Sequence, residues 1–237
     1  HPAIQILNDG LIDKESLQQI HLEYRHAIVQ VFTDALLMAQ FQTKQLEPRL
    51  ESGSKMFPRF LLTLNILDEF GYRPGLDEEG YYSGNPEYAH YPLFEDVLND
   101  FELSQSERNE YKPSLISHKV RAYLENSFND YKAIAALLAV AEEEVILFSP
   151  ALRHATHAVG FDVDSGYYFV HGVSDDTTAE AADDDHEDDL WLILAQACTE
   201  NDYDYIRKIC FEYCNLWQQF WDKQIDNLQY EPYKKLA

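Results

Sequence analysis

Apolar residues recur at intervals of three and four along most of this chain, the rhythm of helices with one buried face. Leu17, Ile20, Tyr24, Ile28, Val31, Phe32, Ala35 and Met38 keep that spacing. They predict one long core helix over 16–43, with Asp13 as its N-cap. Phe60, Leu61, Leu64 and Leu67 predict a second helix over about 58–70, closed by Gly71. Residues 72–88 hold Pro74, Gly75, Gly80, Gly84, Pro86 and a Tyr81-Tyr82 pair, and predict a long loop. Helices are predicted near 92–101, 114–126, 127–147 and 151–160, the last ending at Gly160. Ser104 to Glu107 has the form of a helix entry. After a turn at 162–166, a helix is predicted over 167–176, an acidic loop over 177–185 and a helix over 188–199. A final helix over 203–228 runs through Ile206, Cys210, Tyr213, Trp217, Phe220 and Trp221. No segment reads as a strand and no short repeat appears. The fold class expected is all-α, a bundle of about seven helices.

Composition narrows this picture. The chain has 237 residues, 46% of them hydrophobic, which suits one domain with a large core. That domain is assigned to 1–234. Lys235, Leu236 and Ala237 read as vector-derived residues, and His1 in place of a methionine reads as a missing natural N-terminus. A net charge of -24 argues against nucleic acid and anionic membranes as partners. No apolar run approaches a membrane span. Cys198, Cys210 and Cys214 do not make a disulfide framework. They read as reduced thiols of a cytoplasmic protein.

The candidate chemistry lies in carboxylates and imidazoles. On a helix starting at Tyr167, His171 and Asp175 would share one face. Together with Glu69, His90, Glu142 and His186 they form the set that a pair of iron or manganese ions needs, hard oxygens for charge and nitrogens to complete the shell. Glu142 closes a strongly apolar stretch, where a carboxylate is costly unless paired or metal-bound. Glu143 and Glu144 read as solvated, although a one-residue shift in register would swap the roles. Asp176 rivals Asp175. Glu23 and His26 read as a surface or supporting pair, as do His154 and His157. The acidic run at 183–189 lacks the glycine and terminal glutamate of an EF-hand loop.

Four segments in order resemble the heme-oxygenase-like diiron oxidases, in particular their CADD-like branch. These are Leu64-Asn65-Ile66-Leu67-Asp68-Glu69-Phe70-Gly71, Ala89-His90-Tyr91-Pro92-Leu93-Phe94, Ala139-Val140-Ala141-Glu142-Glu143-Glu144-Val145 and Tyr168-Phe169-Val170-His171 with Asp175. The resemblance implies a heme-oxygenase-like fold and the metal ligands Glu69, His90, Glu142, His171 and Asp175. Two departures stand out. The family's last histidine follows the aspartate by three residues, where this chain has Thr178; the next histidine is His186. A continuous helix would set Asp175 and His186 about 16 Å apart, so either 177–185 loops out and returns His186, or that ligand is lost. Asp183 could replace Asp175 in the former case. The second departure is the long gap between Glu69 and His90.

The resemblance implies two ferrous ions per chain, O2 as co-substrate and a small organic substrate. An amino acid fits best, with oxidative rearrangement of a tryptophan-type amino acid to a nitrile as the nearest analogy. Ala141 stands where a self-consumed tyrosine would be expected, which argues against sacrificial chemistry. The pocket is expected beside the first helix, near Tyr24, Phe32 or Phe41, with Arg25, Lys119, Arg121, Arg153 or Arg207 as cation for a substrate carboxylate. An external reductant and a homodimer stay open. So do a fatty-acid substrate, a thiaminase-like hydrolase using a cysteine, and a binding protein with a vestigial metal site.

Overall fold

In the computed structural model the described residues are 1–171, 182–226 and 228, the side chains of 182–185 excepted. The chain is an all-α bundle. Its helices are α1 (Pro2–Asn8), α2 (Lys14–Tyr24), α3 (Gln30–Gln42), α4 (Met56–Glu69), α5 (His90–Asp100), α6 (Gln105–Glu110), α7 (Leu115–Glu125), α8 (Tyr131–Ala158), α9 (Tyr167–Val170), α10 (Ala182–Ala197) and α11 (Tyr203–Asp226). Residues Arg25–Val29 form a π turn that joins α2 to α3 as one rod. Asp13 starts that rod as expected, its side chain accepting from the Ser16 amide. This bond holds the Asp13 carboxyl below the usual range. Ser104 and Glu107 close a capping box at α6. No helix among the described residues is long and apolar enough to cross a membrane.

α8 is the axis of the bundle. Every residue from Ala133 to Ala141 is buried, the mark of a helix surrounded by others. α1, α3, α10 and α11 pack around it. The break expected between 147 and 151 does not occur. Pro150 removes one amide from the helical ladder, yet the helix runs on. Ala151, Leu152 and Ala155 are buried beyond the proline, and tertiary packing outweighs the local penalty.

The expected loop at 72–88 contains a β-hairpin, β1 (Tyr72–Leu76) against β2 (Tyr82–Gly84), antiparallel. It escaped the pattern reading because its residues are exposed on both faces and carry no alternation. Asp77 builds its tip, accepting from the amides of Glu79 and Tyr81. Two further boundaries differ from expectation. α10 starts at Ala182 rather than at 188, and the helix from Tyr167 stops at Val170 with His171 at its C-cap.

Candidate metal centre

Glu69 is the last residue of α4 and His90 the first of α5. The hairpin that separates them returns the chain to its starting point. Gly71 has φ +80°, and a Cβ there would lie 2.5 Å from the Asn85 carbonyl oxygen and 2.6 Å from the Ala89 nitrogen. Only a glycine admits both that backbone conformation and that approach. The Asn85 amide donates to the Gly71 carbonyl at 3.1 Å, closing the base of the excursion. The long gap in the sequence therefore leaves Glu69 and His90 in contact, with His90 Nδ1 2.9 Å from Glu69 Oε1.

His171 arrives from a third segment. Its ring centroid lies 4.3 Å from that of His90, tilted by 74°. One ligand atom each from Glu69, His90 and His171 lie within 4.8 Å of one another, and all three residues are buried. This group could hold a metal ion. A buried carboxylate is disfavoured by desolvation and disfavoured again at the negative end of a helix. Glu69 suffers both, and a cation between it and the imidazoles relieves both. Two imidazoles and one carboxylate are donors that divalent transition metals take, ferrous iron among them. Asp68 stands at the rim, its Oδ2 3.7 Å from His90 Nε2. Tyr167 packs on His171 at 4.4 Å and on Phe94 at 4.8 Å, so aromatic rings cover one side of the group.

Glu142 is also buried, at 2% exposure. It accepts from Asn65 Nδ2 at 2.8 Å. Asn65 lies one turn before Glu69 on α4, and shares a narrow crevice with His186, Asp189 and Leu190 of α10. His186 is buried and packs beside Leu61, Leu62 and Asn65 of α4. Glu142 and His186 stand outside the close group of three. Asp175, its rival Asp176, Thr178 and Asp183 lie outside the described residues or side chains.

The remaining candidates resolve into structural roles. Glu23 is buried and accepts from Tyr111 Oη at 2.6 Å, Ser114 Oγ at 2.8 Å, the Ser114 amide and Ser117 Oγ; it anchors the start of α7. His26 meets His118, ring nitrogens 2.9 Å apart. Burial and the His118 neighbour push the His26 imidazole down to about 4. His154 and His157 are exposed. Glu144 corrects the reading of a solvated side chain. It is buried, accepts from Tyr24 Oη at 2.8 Å and Trp221 Nε1 at 2.7 Å, and burial pushes its carboxyl up to about 7. Nothing in the sequence distinguished it from Glu143 except the partners on distant helices.

Glu142 and Glu144 lie about 200° apart around α8. A cavity of about 610 Å³ opens on Glu144's side, lined by Leu147, Phe148, Arg207, Trp217 and Trp221 among others. Of the aromatic residues expected beside the site, Tyr24 and Phe32 are buried and Phe41 is 56% exposed. No family model and no curated protein matches this chain.

Proposed function

We propose that this chain is a non-heme iron oxidase that uses O2 to transform a small organic substrate, with two irons held per chain. The observation that carries the reading is the buried trio Glu69, His90 and His171, brought together from three separate segments. Glu142, bonded to Asn65 of α4, and His186, packed beside Asn65, are the further donors this reading assigns to the second iron. Asp175 completes the assignment. The heme-oxygenase-like family is the framework that this order of residues resembles.

Bound ferrous iron would supply O2 activation. Glu69 would contribute negative charge against the cations, and His90 and His171 would contribute nitrogen donors. Asn65 fixes the Glu142 carboxylate through its amide proton, as outer partners of metal ligands do. Phe94 and Tyr167 exclude water from the imidazole side. An amino-acid substrate rests on the segment resemblance alone. Arg25 is engaged by Glu95 and Arg153 by Asp164, so a substrate carboxylate at either would compete with an existing ion pair.

A single-iron reading has its own support, since one carboxylate with two imidazoles is the ligand set of mononuclear ferrous oxygenases. The cysteine-hydrolase reading loses support: burial holds the thiols of Cys198, Cys210 and Cys214 above their usual range, Cys210 at about 11, which disfavours the thiolate nucleophile. Iron analysis after anaerobic loading tests the proposal. About two irons per chain are expected; about one selects the mononuclear reading, and none overturns both. His171→Ala and Glu142→Ala should each lower the stoichiometry, and full loading in both would refute the ligand assignment. Oxygen uptake by the loaded protein should rise with an amino acid; a rise with fatty acids alone would move the substrate class.

A further inference from the structure

We propose that Tyr168 and His21 form a redox-active pair that supplies one electron to oxidised iron at the Glu69–His90–His171 centre, with the proton passing from the phenol to the imidazole. The inference rests on the iron reading above and adds a role for two residues outside the ligand set.

Tyr168 on α9 is 1% exposed and His21 on α2 is 0% exposed. His21 Nδ1 lies 2.7 Å from the Leu17 carbonyl oxygen. A carbonyl oxygen only accepts, so Nδ1 carries a proton. Burial pushes this imidazole down to about 4, so Nε2 is bare at neutral pH. Tyr168 Oη lies 2.6 Å from Nε2. The hydrogen bond therefore runs one way, with the phenol donating to a base that has room for its proton. The Thr156 hydroxyl also hydrogen-bonds to Tyr168 and donates to the Leu152 carbonyl at 2.8 Å; the single phenol proton belongs on the His21 side, because a bare Nε2 only 2.6 Å from Oη must accept it.

A phenol is oxidised far more readily when its proton can leave along an existing hydrogen bond, because neither a phenol radical cation nor a buried phenolate need form. The pair is also close to the metal ligands. The Tyr168 ring centroid is 5.5 Å from that of Tyr167, which is 4.4 Å from His171, which is 4.3 Å from His90. Consecutive rings in contact give a short path for an electron. The step balances: Tyr168 loses one electron and its hydroxyl proton, becoming a neutral phenoxyl radical. His21 gains the proton at Nε2 and becomes an imidazolium still bonded to the phenoxyl oxygen. The electron would go to iron held by Glu69, His90 and His171 and previously oxidised by O2. One electron from an external one-electron reductant, with the proton returning from His21 Nε2 to the phenoxyl oxygen, restores the pair, so iron oxidised without substrate would be reset without damage to its ligands.

The test is electron paramagnetic resonance of the iron-loaded full chain, frozen soon after mixing with O2 and without substrate. Iron content is measured on the same samples. Protein carrying ring-deuterated tyrosine identifies a tyrosyl signal in the wild type, and 15N-histidine reveals its imidazole partner. The proposal expects a tyrosyl radical coupled to a histidine nitrogen, lost in Tyr168→Phe, retained in Tyr167→Phe and altered in g-value in His21→Gln, at unchanged iron content. Bound iron with no tyrosyl radical, or a radical that survives Tyr168→Phe and disappears in Tyr167→Phe, overturns the pair alone. Absence of iron binding in the wild type overturns the iron reading and the electron's destination with it. The isotope-labelled wild type keeps the test decisive if a variant folds poorly.

Discussion

Burial holds the His21 imidazole down at about 4 and the Glu144 carboxyl up at about 7, and the two act on stability with opposite sign. The unfolded chain takes up a proton at His21 near pH 6.5, whereas the folded chain resists until about 4. Stability from His21 is therefore full above 6.5 and falls by about 1.4 kcal/mol per unit as pH drops toward 4. Glu144 behaves in reverse. Folding raises its affinity for a proton, so its contribution is full below 4.5 and is lost as pH rises through 7. Between 4.5 and 6.5 the two slopes offset each other in the metal-free protein. In Glu144→Gln the opposing term disappears, and the variant should gain on the wild type by about 1.4 kcal/mol per pH unit from 4.5 to 7. Urea denaturation of both proteins at pH 5 and pH 7 checks this; parallel behaviour would contradict it. Glu23 offers a simpler case. Glu23→Ala leaves the Ser114 amide and three hydroxyls without their acceptor, and a loss of about 2–4 kcal/mol in the same assay is expected.

Elements show why some of this architecture was legible and some was not. The rod of α2 and α3, and the helices α4, α5, α7 and α11, announce themselves through period and caps, because one face is buried and the other is wet. The hairpin at Tyr72–Gly84 has no buried face, so its residues carry no period. α8 is buried all round only from Ala133 to Ala141, and further on Pro150 looked like an end, while the buried Ala151, Leu152 and Ala155 hold the helix in place beyond it. The consequence for the site sits at Gly71, where α4 gives way to the hairpin. Gly71→Ala would force a Cβ into the Asn85 carbonyl and the Ala89 amide at a positive φ. The expected result is a loss of stability above about 2 kcal/mol with weakened iron binding, since the strained junction lies between Glu69 and His90. Calorimetry and iron titration of the variant measure both; unchanged iron affinity would show that the junction does not set the ligand positions.

At the scale of the whole molecule, the bundle converts residues scattered along the sequence into neighbours. Glu69, His90 and His171 were nameable from their segments, and the fold brings one ligand atom of each within 4.8 Å of the others. Glu69 sits at a helix end that the period located, whereas the helix start at His90 and the cap at His171 fell two or more residues away from the boundaries the pattern predicted. The buried contacts of Glu144, His21 and Tyr168 escaped notice. Their meaning depends on partners from distant helices, Trp221 for Glu144 and Tyr168 for His21, and no spacing encodes that. The placement of His186 beside Asn65 likewise needed the bundle, because it depends on where α10 packs. The central claim is that the trio binds iron. Crystals of the iron-loaded protein, measured at the iron absorption edge, test it most directly. The account predicts an anomalous peak bonded to Glu69, His90 and His171. Loaded protein whose iron lies elsewhere, with that trio bare, would contradict it.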